Sequence, residues 1–349
     1  PSHTDIGCVK FVFGSQSCNM LSEFILKEKR FFVNSLGIGV CYTVTKELLC
    51  TKIYKTWERL VFTMEEIKTV QIGQITLAYK EFGSGDKYLL STQNFFLTDC
   101  HMELLGKPPY DYHCFLVYMR GYGKSTHITD NVERDYNEIW GEDLLAFAKA
   151  MGIKSFYYTG VSHGNFAGWY AAFNHPEVLK GFVCCDGIVQ YRQPEKGGSP
   201  SSRRNPDADK VVGNYELLEK MAWMEPWPTQ NPERLARRAA NHKEHTAILM
   251  ERAKEEFEVP NIGDMTCCRA NSEQEMLEKL AGIHVPVLIW LGGLDPLATA
   301  ENALKVAQVI PGASLLTYQH LGHGGADECP EMAARDCDRF FRDTENRLL

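Results

Sequence analysis

Residues 160–164 read Gly-Val-Ser-His-Gly, and the serine at their centre, Ser162, is placed to act as a nucleophile. A serine hydroxyl attacks a carbonyl only when a base removes its proton, so one serine needs partners. The pattern G-x-S-x-G carries little weight alone. With Gly and Ser each at roughly 7% of residues, a chain of this length meets it by chance about one time in ten. Its surroundings carry more. An apolar run at 156–159 leads straight in, and a run with helical spacing, about 164–174, leads out and stops near Pro176. Strand, tight turn and helix in that order is the setting in which such a serine is presented. Side chains flanking so tight a turn would collide with the neighbouring strand and helix, which the two glycines avoid. The turn lifts the hydroxyl to the C-terminal edge of a sheet, where ligands bind in open α/β sheets. The bland alternative is a glycine-flanked turn with an idle serine.

The base is expected late in the chain, beyond the last strand. His320 and His323 both stand there, within His-Leu-Gly-His-Gly-Gly at 320–325. Gly322 and Gly324 leave the His323 backbone free to turn its ring towards the elbow, so His323 is the favoured base and His320 a strand-end residue. The imidazole in turn needs an acid to fix its tautomer and stabilise its charged form. Asp295, in Gly-Gly-Leu-Asp-Pro directly after the apolar run 287–291, gives the chain order Ser, Asp, His. Its bland reading is a turn aspartate before proline. Asp186, after the run 181–185, is the rival acid. An oxyanion would be held by two backbone amides, that of His163 and one from residues 93–96, for which Phe95 is chosen.

These residues need a frame. Residues 70–79 alternate around Gly73 as a strand pair, and 88–92 and 114–119 read as further strands. A helix is expected at 139–151, then the strand, elbow and helix already described, then a strand at 181–185. Apolar strands alternating with amphipathic helices predict a parallel sheet covered on both faces. The alternation pauses from 189 to 280, where a Pro/Gly/Ser-rich stretch leads into charged helical text at 215–223 and 232–257. It resumes with strands at 287–291 and 314–318 and helices at 300–309 and 331–341. The expected organisation is an N-terminal extension of unclear role (1–63, with a weak helical signal at 20–30), a first core part (64–188), a helical cap (189–280) and a second core part (281–349). Met221, Trp223, Met224, Pro226 and Trp227 form an apolar cluster that either lines a pocket or packs the cap itself.

Over roughly 68–342 the chain resembles the α/β-hydrolase superfamily. The resemblance rests on Arg-Gly-Tyr-Gly-Lys-Ser at 120–125, the elbow at 160–164, His-Pro-Glu at 175–177, Asp295-Pro296 and Gly322-His323. It implies a doubly wound, mostly parallel sheet with an inserted helical cap. It also implies a serine hydrolase that cleaves a small ester, lactone or related acyl compound through an acyl-enzyme on Ser162, with no cofactor and no metal. Three features depart from the family pattern: Ser-Thr-Gln-Asn at 91–94 replaces the usual His-Gly, Tyr118 stands where an Asp is usual, and Asn165 replaces a glycine. The Ser-His-Gly elbow is similar to that of cofactor-independent dioxygenases of the superfamily. Carbon–carbon bond hydrolysis and a non-catalytic ligand-binding protein remain alternatives. Dehalogenase and epoxide hydrolase relatives carry Asp where Ser162 stands.

Composition bounds the partners. The 349 residues are 44% hydrophobic and 23% charged, with a net charge of −8. Such a surface is poorly suited to displacing counterions from a phosphate backbone, so a small-molecule substrate and no nucleic acid are expected. The oligomeric state is not assigned. The 12 cysteines are not spaced as a disulfide framework, and reduced thiols in the cytoplasm are expected. His320, His323, Asp327 and Cys329 match no familiar zinc spacing. No apolar stretch reaches the ~18 residues of a membrane span, and no secretory leader is expected from the first residues.

Overall fold

In this computed structural model, the described residues are 67–93, 96, 98–128, 136–191, 207–222, 229–258 and 268–346. The expected extension, the helical signal at 20–30, Phe95, and Trp223, Met224, Pro226 and Trp227 of the aromatic cluster lie outside them.

Eight strands form one sheet. They are β1 (Lys68–Ile72), β2 (Ile75–Phe82), β3 (Lys87–Gln93), β4 (Tyr112–Tyr118), β5 (Phe156–Val161), β6 (Leu179–Cys185), β7 (Val287–Gly292) and β8 (Ser314–Tyr318). Their order is β1-β2-β4-β3-β5-β6-β7-β8. β2 is antiparallel to both of its neighbours, and every other pairing is parallel. The helices are α1 (Met102–Leu105), α2 (Tyr136–Ala150), α3 (Phe166–Asn174), α4 (Ala208–Val211), α5 (Tyr215–Ala222), α6 (Pro232–Met250), α7 (Lys254–Glu258), α8 (Glu273–Leu280), α9 (Ala300–Val309), α10 (Gly325–Glu328) and α11 (Pro330–Glu345).

Side-chain alternation divides the core in two. On β4, Phe115 and Val117 enter one cluster, with Phe147 of α2, Trp169 of α3 and Val306 of α9. Cys114, Leu116 and Tyr118 enter the other, with Leu105 of α1 and Phe341 of α11. The central strands are therefore apolar on both faces, and β5 and β7 are buried throughout, as a sheet covered on both sides demands. The edge strands β1 and β8 contain no fully buried residue. Each fully buried large side chain contributes about 1.5–3 kcal/mol, so the sheet is a stiff base for whatever its C-terminal edge carries.

Between β6 and β7 the described residues form helices and no strand. Pro232 opens α6, and the Asn231 side chain accepts from the amides of Glu233 (2.9 Å) and Arg234 (3.2 Å), satisfying two of the helix's free donors. Ala208, Leu218, Ala222, Leu249 and Phe257 make a satellite core against which Phe96, from the loop after β3, also packs. α8 instead turns Met276 and Leu280 into the main core. α6 is fastened to α10 and α11 by charge: Glu328 of α10 lies between Arg234 and Arg238 (3.0 Å to Arg238 Nε), and Arg237 meets Glu331 of α11 at 2.8 Å. Glu328 is 8% exposed. Glu328→Ala removes the carboxylate shared by two largely buried guanidiniums, and a loss of about 3 kcal/mol in chemical unfolding is expected.

Candidate active site

The polypeptide leaves β5 in a one-turn 3-10 helix, Ser162–Asn165, and runs directly into α3. Ser162 has φ +50°, a left-handed backbone that costs a non-glycine residue about 1–3 kcal/mol. Three side chains hold it there. Asn165 Nδ2 donates to the Ser162 carbonyl (2.9 Å) and to the Cys185 carbonyl at the end of β6 (2.8 Å). Thr92 Oγ1 donates to the Gly164 carbonyl at 3.0 Å, and the Tyr158 hydroxyl donates to the same oxygen. The glycines are required by space. A Cβ on Gly164 would lie 2.6 Å from the Thr92 carbonyl oxygen, and one on Gly160 would overlap the Gly164 carbonyl.

Two further loops meet the elbow. The loop after β7 carries Asp295 and the loop after β8 carries His323, and they are laced together by Gly293 N to Tyr318 O (2.8 Å) and Leu294 N to Leu321 O (3.0 Å). His323 Nε2 stands 3.0 Å from Ser162 Oγ, and His323 Nδ1 stands 2.8 Å from Asp295 Oδ2. Asp295 Oδ1 accepts from the amides of Leu297 (2.8 Å) and Ala298 (2.9 Å), so the carboxylate orients the ring with one oxygen and braces its own loop with the other. The Asp295 side chain is fully enclosed. Burial works against a charged His323, but the hydrogen bond and charge of Asp295 outweigh it and lift the imidazole above its usual range. With its proton on Nδ1, the ring turns an Nε2 lone pair to the serine.

The rival side chains are placed elsewhere. His320 is exposed, and its carbonyl accepts from Arg234 at 2.8 Å. Asp186, also left-handed at φ +50°, accepts from the amides of Gly292 (3.3 Å) and Ala326 (3.3 Å). It braces the end of β7 and the start of α10 rather than the ring. Burial raises it to about 7, with His323 pulling down and Asp295 pushing up. His163 presents the amide that follows the serine, while its ring packs edge-on to Phe166 with Nδ1 3.5 Å from Ser162 Oγ. Burial and the neighbouring His323 push that ring down to about 4, so it is neutral at ordinary pH. Asn165, three residues after the nucleophile, spends its NH₂ on the backbone, while its Oδ1 is buried without a hydrogen-bond partner among the described residues.

Sequence reading missed the Thr92–Tyr158 support of Gly164, because two polar residues within buried strands carry no spacing signal. It also missed the bracing role of Asp186, which is visible only once β7 and α10 are in place. Among the described residues, no group of candidate metal ligands includes Asp295 or His323.

The family model described as alpha/beta hydrolase fold matches residues 97–328, well over half of the chain. The chain belongs to the α/β-hydrolase fold family. As a member it is a hydrolase by class. A search of curated proteins gives no sequence match. Among solved structures this α/β-hydrolase is similar to a hydrolase from Pseudomonas aeruginosa PA01, at 20% identity, TM-score 0.59, covering 80% of this chain and 99% of that one. It is also similar to the enol-lactonase from Burkholderia xenovorans LB400, at 17% identity, TM-score 0.59, covering 79% and 100%. A thermophilic esterase from Thermogutta terrifontis matches at 18% identity, TM-score 0.60, covering 80% and 97%. At such identities the likeness is one of fold. No described helix is long and apolar enough to cross a membrane.

Proposed function

We propose that this α/β-hydrolase is a serine hydrolase that cleaves a small ester, lactone or related acyl compound through an acyl-enzyme on Ser162. The observation that carries the reading is the line of contacts from Ser162 Oγ to His323 Nε2 (3.0 Å) and from His323 Nδ1 to Asp295 Oδ2 (2.8 Å). Ser162 Oγ attacks the carbonyl carbon as His323 Nε2 takes its proton. Asp295 stabilises the imidazolium that results. The carbonyl oxygen, now negative, is held by the His163 amide and by a second amide assigned to Phe95. The C–O bond breaks and the departing alkoxide takes the proton from His323. Water then attacks the acyl group with His323 again as base, releasing the acid and restoring Ser162.

The helices between β6 and β7 are assigned as a cap that bounds the substrate. Their satellite core includes Phe96, one residue from the assigned oxyanion amide, and Phe96 stacks on His245 of α6 (ring centroids 4.1 Å). The seven described cysteines are free, which supports a reducing compartment such as the cytoplasm. Solved neighbours that include an enol-lactonase and an esterase keep cyclic and open-chain esters together as the first substrates to assay.

The pH profile follows from the ring that must be neutral. His323 accepts a proton only when unprotonated, and its pKa lies above the ordinary 6.5. The kcat/KM for p-nitrophenyl acetate is therefore expected to fall as pH drops, with a midpoint above 6.5. His163, near 4, adds no limb in that window. A midpoint near 4 would assign the base to His163 instead. A second expectation separates the acids: Asp186→Asn should lower kcat by less than about 10-fold, since that carboxyl braces loops and holds no ring nitrogen. A loss of ~10⁴ in that variant would transfer the role of Asp295 to Asp186.

A further inference from the structure

Below the elbow, three side chains from distant parts of the chain converge. Cys185 ends β6, Cys337 lies in α11, and His101 immediately precedes α1. Their ligand atoms all lie within 4.8 Å of one another, and all three residues are buried. His101 is 1% exposed and both cysteines are 0% exposed. His101 Nε2 shares a hydrogen bond with Thr159 Oγ1 at 2.9 Å, and Thr159 Oγ1 is 3.7 Å from Cys337 Sγ. His101 Nδ1 is buried with no hydrogen-bond partner, which a well-packed interior rarely tolerates. The serine mechanism uses none of these groups.

We propose that His101, Cys185 and Cys337 form a buried zinc(II) site. Two thiolates and an imidazole are a soft, borderline donor set that suits zinc and disfavours magnesium or calcium. Zinc–sulfur bonds of ~2.3 Å and zinc–nitrogen bonds of ~2.0 Å place donors ~3.5–4 Å apart, so a shift of about 1 Å closes the cluster. Binding releases two protons: Zn²⁺ and two thiols give a neutral dithiolate centre, the charge state that a buried position favours. Such a centre ties β6, α11 and the segment before α1 together. It also reaches the elbow, because the Cys185 carbonyl accepts from Asn165.

The test is made on the full chain. Protein is loaded with zinc sulfate, dialysed against metal-free buffer, and assayed for bound zinc by atomic emission and for thermal melting. One equivalent is expected in wild type and in Ser162→Ala, with a raised Tm. His101→Ala and Cys337→Ser should each lose both the equivalent and the rise. Should a variant fail to fold, X-ray absorption on loaded wild type decides instead, with two sulfurs and at least one nitrogen expected around zinc. No retained zinc in wild type, zinc retained equally in both variants, or an absorption spectrum without two sulfurs would each overturn the proposal.

Discussion

Ser162→Ala is expected to lower kcat for ester hydrolysis by about 10⁴- to 10⁶-fold while leaving KM within a few-fold. The loss is at least ~5.5 kcal/mol of transition-state stabilisation. Removing the hydroxyl removes the atom that forms the acyl bond in the proposed reaction, and what remains is the elbow amide. The His163 ring cannot take over as nucleophile at comparable rate. Its Nδ1 is 3.5 Å from the place the hydroxyl held, and among the described residues no acid orients it as Asp295 orients His323. The fold should not change, because alanine inherits the same left-handed backbone, and Asn165, Thr92 and Tyr158 hold backbone oxygens, not the hydroxyl. Steady-state kinetics beside a thermal melt checks both halves. A variant that keeps its activity removes Ser162 from the reaction.

Asp295→Asn is expected to cost about 10³- to 10⁴-fold in kcat, for a reason distinct from lost charge alone. Asp295 uses two acceptor oxygens, one for the Leu297 and Ala298 amides and one for His323 Nδ1. Asparagine has one acceptor oxygen. If it keeps the loop amides, its NH₂ meets Nδ1 and donates, which moves the ring proton to Nε2. That tautomer presents a donor to Ser162 and cannot accept its proton. If the amide flips, the loop amides lose their acceptor and the loop loosens. Either outcome disables the base, and the melt tells them apart, since only the second lowers Tm. Activity within a few-fold of wild type would contradict the assignment of the acid.

Much of this site is local enough to be read from the chain. Ser162 is legible because the elbow needs glycines where neighbours leave no room for a Cβ, and those glycines stand at fixed offsets. Asp295 and His323 are legible because strands β7 and β8 end just before them, and a parallel sheet brings strand ends to one edge. The sheet itself follows from apolar runs and helical spacing, and β8 and α9 fall on the expected residues. What distance in sequence conceals is less accessible. Asp186, Thr92 and Tyr158 act on backbone atoms of other elements, and their types give no hint of the partner. Cys185 and His101 meet Cys337 only through the packing of α11 on the sheet, so no ligand spacing announces them. Asn165 teaches the converse lesson: a polar residue three positions after the nucleophile can spend its NH₂ on backbone carbonyls that hold the turn.

The proposed reaction requires Ser162 to be an activated nucleophile, which covalent capture reads at the atom itself. Wild-type protein is incubated with a fluorophosphonate, its intact mass recorded, and the modified peptide sequenced by fragmentation. One adduct is expected, on Ser162, lost in His323→Ala as well as in Ser162→Ala. An unmodified wild-type protein, or an adduct on any other residue, would contradict it.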